Sequence, residues 1–367
     1  MMIRLLDALT DPFFGKLVDK TQSRKKFQFW AIPSGIIMTI GYAALINPPD
    51  ALNNELEILT YMAFFTLIVS TAAGVFNVTI QAWPLQWTSD ILDQSELVSR
   101  REQLTLIGII VASTLSTTTD PKIFTTYLFV LTIVTSLAIL SLPSAQIASR
   151  MRSSFNWDRL RSLAFLMGPL FISALANATA ATLFMFYVTD YLLLTQSNGG
   201  KLLAIYFISA LLGIWLWRKT IINRNIIKVY KYTILMTIIL FIPGFWINDT
   251  NAELFTLICI GTGLFIGAEL LLSSMLLIKK IKYMNQEDNS GIILGSWGLL
   301  MKLGLALAAG LALPLLNFWG YQPGLTLGHE GLALTYLATP IILKLISLIL
   351  LSIYYYQNGH IYASHQD

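Results

Sequence analysis

Arg4, Asp7 and Asp11 open the chain within the run R-L-L-D-A-L-T-D-P-F-F-G. Their spacing of three and four residues puts all three on one helix face. Two carboxylates that close repel unless a cation is shared between them, and a proton, a sodium ion or a neighbouring basic side chain can serve. Such a pair can couple ion binding to movement, because the cation relieves the repulsion; it also fits a structural ion-pair network at a helix end. Lys302 and Lys344 lie near the middle of later apolar runs, and Glu269 lies at comparable depth. An unpaired cation there costs at least about 2.5–3.5 kcal/mol. Asp7, Asp11 and Glu269 are therefore the expected charge partners. Trp83 and Trp87, one helical turn apart, could stack on the apolar face of a sugar ring, or fill a core or face lipid.

Other chemistries find little support. The single cysteine, Cys259, sits in an apolar run, which excludes a disulfide and a thiolate metal site. His329, His360 and His365 share no metal-ligand spacing, so no metal and no organic cofactor is expected. The D-x-x-x-D spacing also occurs in metal-dependent membrane transferases, but no second acidic cluster is present to hold Mg²⁺ with a diphosphate. Repeated pore-lining polar residues, which a channel would need, are absent too.

The elements that must position these residues are membrane helices. Of 367 residues, 55% are hydrophobic and 12% charged, with a mean hydropathy of +0.66. A soluble chain carries about 25% charged residues. A bilayer core of about 30 Å needs about 20 apolar residues per helix. Reading apolar runs between polar breaks gives eleven candidate spans: 2–18, 28–47, 57–84, 101–119, 123–146, 160–190, 200–218, 229–247, 253–278, 291–317 and 331–356. The first is short for a span. No soluble domain and no nucleic-acid partner is expected, and the net charge of +4 reads as loops facing anionic lipid.

Lys and Arg fall on alternate loops. One side takes Lys16, Lys20, Arg24, Lys25 and Lys26, then Arg100 and Arg101, then Arg150, Arg152, Arg159 and Arg161. It continues with Arg218, Lys219, Arg224, Lys228 and Lys231, then Lys279, Lys280 and Lys282. The opposite loops hold only Lys122 and Lys201. The positive-inside rule then predicts a cytoplasmic C-terminus and, with eleven spans, an N-terminus outside. Gly291, Gly295, Gly298, Gly304 and Gly310 line the run 291–317 and predict close helix packing there.

D-A-L-T-D-P-x-x-G-x-x-x-D followed by a basic S-R loop resembles the second-helix signature of the glycoside–pentoside–hexuronide sugar–cation symporter family of the major facilitator superfamily. Q-A-W-P-L-Q-W-T-S-D-I-L-D-Q-S-E-L-V-S-R-R-E-Q-L-T-L-I-G is similar to its fourth helix, acidic loop and fifth-helix opening. A-L-A-N-A-T-A-A-T-L-F-M-F-Y-V-T-D-Y-L, I-G-A-E-L-L-L-S-S-M-L and G-S-W-G-L-L-M-K-L-G-L-A-L-A-A-G-L-A-L-P-L-L-N-F-W-G-Y resemble its seventh, tenth and eleventh helices. The resemblance implies an all-α transmembrane bundle of the major facilitator fold in two pseudo-symmetric halves. Residues 1–149 and 163–356 would form the halves, 150–162 the cytoplasmic loop between them and 357–367 a cytoplasmic tail. It implies cation-coupled symport, by H⁺ or Na⁺, of a sugar, glycoside or similar solute across a bacterial inner membrane, with no enzymatic activity. Asp7 and Asp11 match the cation-coupling carboxylates. Arg101 and Lys302 match basic residues near the sugar site, with Arg4 beside them, and Glu269 stands where many relatives have Asp. Gly15, Asp19 and Arg24 match the Gly-x-x-x-Asp-Arg-type loop, whose acid gates the cytoplasmic side; a solvated basic loop is the other reading.

Departures from that pattern define the alternatives. The family's first helix, with a sugar-binding acid, has no counterpart, which points to a misassigned start or a decayed gene. The fourth-helix Asp falls on Ala82, the usual Gly after the second helix is replaced within R-K-K-F, and the acidic motif after the tenth helix has become L-I-K-K-I-K-Y. A transporter of lysophospholipid or another non-sugar solute, or an inactive remnant, are the competing readings.

Overall fold

The computed structural model describes residues 2–21, 23, 25–50, 54–87, 90–141, 157–221, 224–321 and 329–362. Those residues form helices and no strand. The helices are α1 (Met2–Lys20), α2 (Lys26–Ile46), α3 (Glu55–Ala82), the single turn α4 (Pro84–Trp87), α5 (Ile91–Thr118), α6 (Pro121–Ser141), α7 (Trp157–Phe186), α8 (Gln196–Ile221), α9 (Ile226–Phe241), α10 (Phe255–Tyr283), α11 (Ser290–Phe318) and α12 (His329–Asn358). A long helix stands at each of the eleven expected positions. Nine of them are long and apolar enough to cross a membrane; α1 and α5 are not among these nine.

The one large boundary error is at α5. The apolar run suggested a start near 101, but the helix begins at Ile91. Its first turns are polar, with Glu96 and Arg100 paired at i and i+4, a pattern that favours helix yet is invisible to a hydropathy reading. Arg101 thus sits in the third turn of α5 rather than at its start. Helix starts elsewhere carry legible caps. The Asn225 side chain accepts from Ile227 N and Lys228 N at the head of α9, and Asn54 accepts from Leu56 N at the head of α3.

The described residues pack as two compact units. The first holds α1 to α4, α6, the end of α5 from Val111, and α11 as far as Leu303. Here α3 packs against both α1 and α2, and α6 lies along α2. The α2–α6 seam is polar: the Thr39 and Thr132 hydroxyls are 2.6 Å apart, and Gln28 Nε2 donates to Ile139 O. The rest of α6 leaves Ile133, Val134, Leu137 and Leu140 exposed, as a lipid-facing helix does.

The second unit holds α5 as far as Ile110, α7 to α10, α11 from Gly304, and α12. Its tightest pair is α8 with α10, where Gly213, Gly263 and Gly267 bring backbone against Leu264 O, Tyr206 O and Ala210 O with no room for a methyl. Small residues are how helices associate where lipid removes the hydrophobic drive. α7 packs along α12, and Ser347 Oγ donates to the Pro169 carbonyl at 2.7 Å. α7 ends in a π-helical turn, Tyr187–Tyr191, whose Tyr187 ring stacks on Tyr336 at 4.2 Å.

Candidate functional site: two lysine–carboxylate pairs

Of the two expected coupling carboxylates, Asp11 is the one whose side chain the structure describes. Its carboxylate is 3% exposed, and Lys302 Nζ donates to Oδ1 at 2.8 Å. Glycine makes this possible. A Cβ at Gly298 would lie 2.8 Å from Asp11 Oδ2, one at Gly295 would lie 2.5 Å from Asp11 O, and one at Gly74 would collide with Oδ1. Three glycines on α3 and α11 thus open the slot that α1 fills with Asp11. Lys302 is less enclosed, with 26% of its side chain exposed. The side chains of Arg4 and Asp7 lie outside the described residues, although their backbone belongs to α1.

Farther along the same helix, Asp19 reaches the first turn of α11. Its two oxygens accept from Gly291 N and Ile292 N, each at 2.8 Å. A carboxylate there satisfies orphan N–H groups and faces the positive end of the helix dipole. Gly15 and Gly291 allow the approach, each lacking room for a Cβ against the other's carbonyl. Burial pushes the Asp19 carboxyl up to about 7, against the pull of the two N–H donors and Lys26. Arg24 lies outside the described residues.

The second unit holds a second pair. Lys344 Nζ donates to both oxygens of Glu269, at 2.7 and 2.9 Å, and the two side chains are 2% and 3% exposed. Ser173 and Asn177 of α7 donate to Oε2, and Thr237 of α9 donates to Oε1. Four helices therefore meet on one carboxylate. Glu269 and Lys344 were expected as partners for some intramembrane charge. Ser173, Asn177 and Thr237 were not picked out, although 173 and 177 are polar positions one turn apart in an apolar run and could have been.

Two residues expected to contact the sugar have partners of their own. Arg101 Nη2 donates to Glu102 and, at 3.2 Å, to Ser274 Oγ of α10; Ser274 in turn donates to Glu102. The Trp83 ring is 4% exposed and stacks on Phe27 at 5.5 Å, so one of its faces is already taken. The Trp87 side chain lies outside the described residues. Among the described residues, no group of three His, Cys, Asp or Glu side chains could hold a metal ion.

Several solved structures of transporters are similar to this chain in fold. The human organic anion transporter MFSD10 is similar at a TM-score of 0.73 and 14% identity, over 95% of this chain and 82% of that one. A bacterial homologue of the iron transporter ferroportin gives 0.69 and 12%, over 96% and 88%. The E. coli fucose:proton symporter FucP gives 0.63 and 12%, over 95% and 87%. These likenesses are of fold. No curated protein matches the chain by sequence. Residues 1–358 match the profile of the MFS/sugar transport protein family, and the chain belongs to that family, the one of the melibiose-carrier-like sugar–cation symporters, as an integral membrane transporter and not an enzyme.

Proposed function

We propose that this secondary transporter carries a sugar, glycoside or similar small solute together with a cation, H⁺ or Na⁺, by alternating access, in a bacterial inner membrane with its C-terminus in the cytoplasm. The observation that carries the reading is the Asp11–Lys302 pair. A buried carboxylate with a partly exposed ammonium at 2.8 Å can exchange that ammonium for a free cation. Asp7, one turn earlier on α1, adds a second negative charge that such a cation would neutralise, and Arg4 is the basic group nearest to it in sequence. Lys302 released from Asp11 would be free to hydrogen-bond a solute hydroxyl, which ties solute binding to cation binding through one side chain. Arg101 serves in this reading as a further basic contact for the solute. Asp19, seated on the head of α11, would hold the cytoplasmic ends of α1 and α11 together in one state and release them in the other, with Gly15 allowing the close crossing and Arg24 next to it in the loop.

The family supports sugar as the solute class. One observation favours a different small solute in the same fold: Trp83, an expected sugar platform, has one ring face occupied by Phe27. Uptake of a panel of labelled sugars, glycosides and lysophospholipids into proteoliposomes, with and without an imposed H⁺ or Na⁺ gradient, decides between them. Gradient-driven sugar accumulation supports symport. Lysophospholipid uptake replaces the substrate, and no uptake at all removes the transport reading.

A further inference from the structure

Lys280, in the last turn of α10, is 1% exposed, yet among the described residues it makes no ion pair and no side-chain hydrogen bond. What it has are two tyrosine rings, Tyr354 at 5.6 Å and Tyr283 at 5.9 Å from its ammonium. Both distances lie at the outer edge of a useful cation–π contact, so the rings compensate little for removing a charge from water. Tyr354 is fully buried, with its hydroxyl 3.0 Å from that of Tyr362, whereas Tyr283 is 56% exposed. The ammonium therefore lies between a sealed wall and a surface ring.

More basic residues stand at the same end of the unit. Lys228 and Lys231 of α9 lie 5.8 and 5.6 Å from the ring of Tyr355, the neighbour of Tyr354 on α12. The short helical turn Gly359–Tyr362 packs against α9, α10 and α12 and is pinned by Asn225 Nδ2, which donates to Gly359 O at 3.1 Å. Tyr283 and Tyr356, the latter 92% exposed, mark this end as lying at headgroup depth, where tyrosine concentrates.

We propose that Lys280, with Lys228 and Lys231 at the same end of the unit, forms a site for the phosphate of an anionic phospholipid. The chemistry is that of a phosphodiester. A buried ammonium supplies one charge-assisted hydrogen bond, two flexible lysines supply the surrounding field, and the tyrosines stand at the depth at which a headgroup sits. The orientation in the proposed function places this site in the inner leaflet. Binding itself needs no solute and no gradient, so it succeeds or fails independently of that reading.

The test is lipid titration of the purified, delipidated full chain in detergent, followed by native mass spectrometry and thermal unfolding. Phosphatidylglycerol is expected to bind and stabilise at least tenfold more tightly than phosphatidylcholine. Lys280→Gln should weaken phosphatidylglycerol about fivefold or more while leaving phosphatidylcholine unchanged, and Lys280→Arg should retain it. If Lys280→Gln does not fold, the pair Lys228→Gln and Lys231→Gln carries the test and should weaken binding by a similar factor per lysine. Equal binding of the two lipids, or no effect of any of these substitutions, overturns the proposal. Stabilisation by inorganic phosphate at the same concentration overturns the lipid as occupant.

Discussion

The two intramembrane lysine–carboxylate pairs share their chemistry and differ in their surroundings. Glu269 and Lys344 are both sealed, and side chains from α7 and α9 complete the carboxylate's coordination. Asp11 is as buried as Glu269, but its partner Lys302 is about a quarter exposed, and glycines on α3 and α11 open the slot around Asp11. The first pair has the form of a fixed joint for four helices, and the second that of an exchangeable contact. Burial alone would not separate them, since both acids are 3% exposed. The difference lies on the lysine side.

The sharpest way to break that comparison is to remove one charge from the sealed pair. Lys344→Met leaves the buried Glu269 carboxyl with no counter-charge and should cost about 3–5 kcal/mol. Adding Glu269→Gln should recover most of it, since an amide and a methionine bury no net charge. Thermal or denaturant unfolding in detergent reads both. A double variant no better than the single one would mean that the joint works through packing and not through charge.

The next effect is steric. Gly74→Ala places a methyl onto the Asp11 carboxylate and should displace Lys302. We expect about 1–3 kcal/mol of destabilisation and loss of gradient-driven uptake, with the protein still inserted. Gly310→Ala on the same α11 meets open space and should change neither. If the two alanines behave alike, the glycine slot is not what positions Asp11.

A smaller effect follows from Asp19. Its carboxyl is raised to about 7 when docked on α11, against an ordinary 3.8, so docking takes up a proton. The contribution to docking is fully present below about 3.8 and is lost as pH rises through about 7. Cross-linking between cysteines at the ends of α1 and α11 should fall over that window and flatten above it. Asp19→Asn, which cannot titrate, should remove the dependence. The exposed Arg100–Glu96 pair should matter least, with Arg100→Ala within about 1 kcal/mol of wild type.

Much of the fold was legible because lipid permits so few solutions. Apolar runs of span length between basic loops can only be helices, and ten of the eleven helix starts fell within a few residues of expectation. The start of α5 was missed for the same reason in reverse: its first turns are charged, and hydropathy is blind to a polar helix. At the site, depth alone called for water or an acid beside Lys302 and Lys344, and each has an acid. Which acid each takes was not legible, since Asp7, Asp11 and Glu269 were all eligible and only packing assigns them. The glycines of α11 were visible as a packing stripe, yet only the structure separates Gly295 and Gly298, where an added Cβ would meet Asp11, from Gly310, where it would meet nothing within 4 Å. The hydroxyl and amide donors to Glu269 passed unnoticed because single Ser, Thr and Asn residues are common in membrane helices and carry no spacing rule of their own.

The central claim is that Lys302 is an exchangeable partner of Asp11 in cation-coupled transport. Its most direct test is sugar uptake into proteoliposomes of the Lys302→Ala variant, with an imposed H⁺ or Na⁺ gradient and over a range of pH. The account predicts a variant that inserts and folds but no longer accumulates solute against its gradient, or does so with a shifted pH profile. Accumulation and pH profile both equal to wild type would contradict it and leave Lys302 a structural residue.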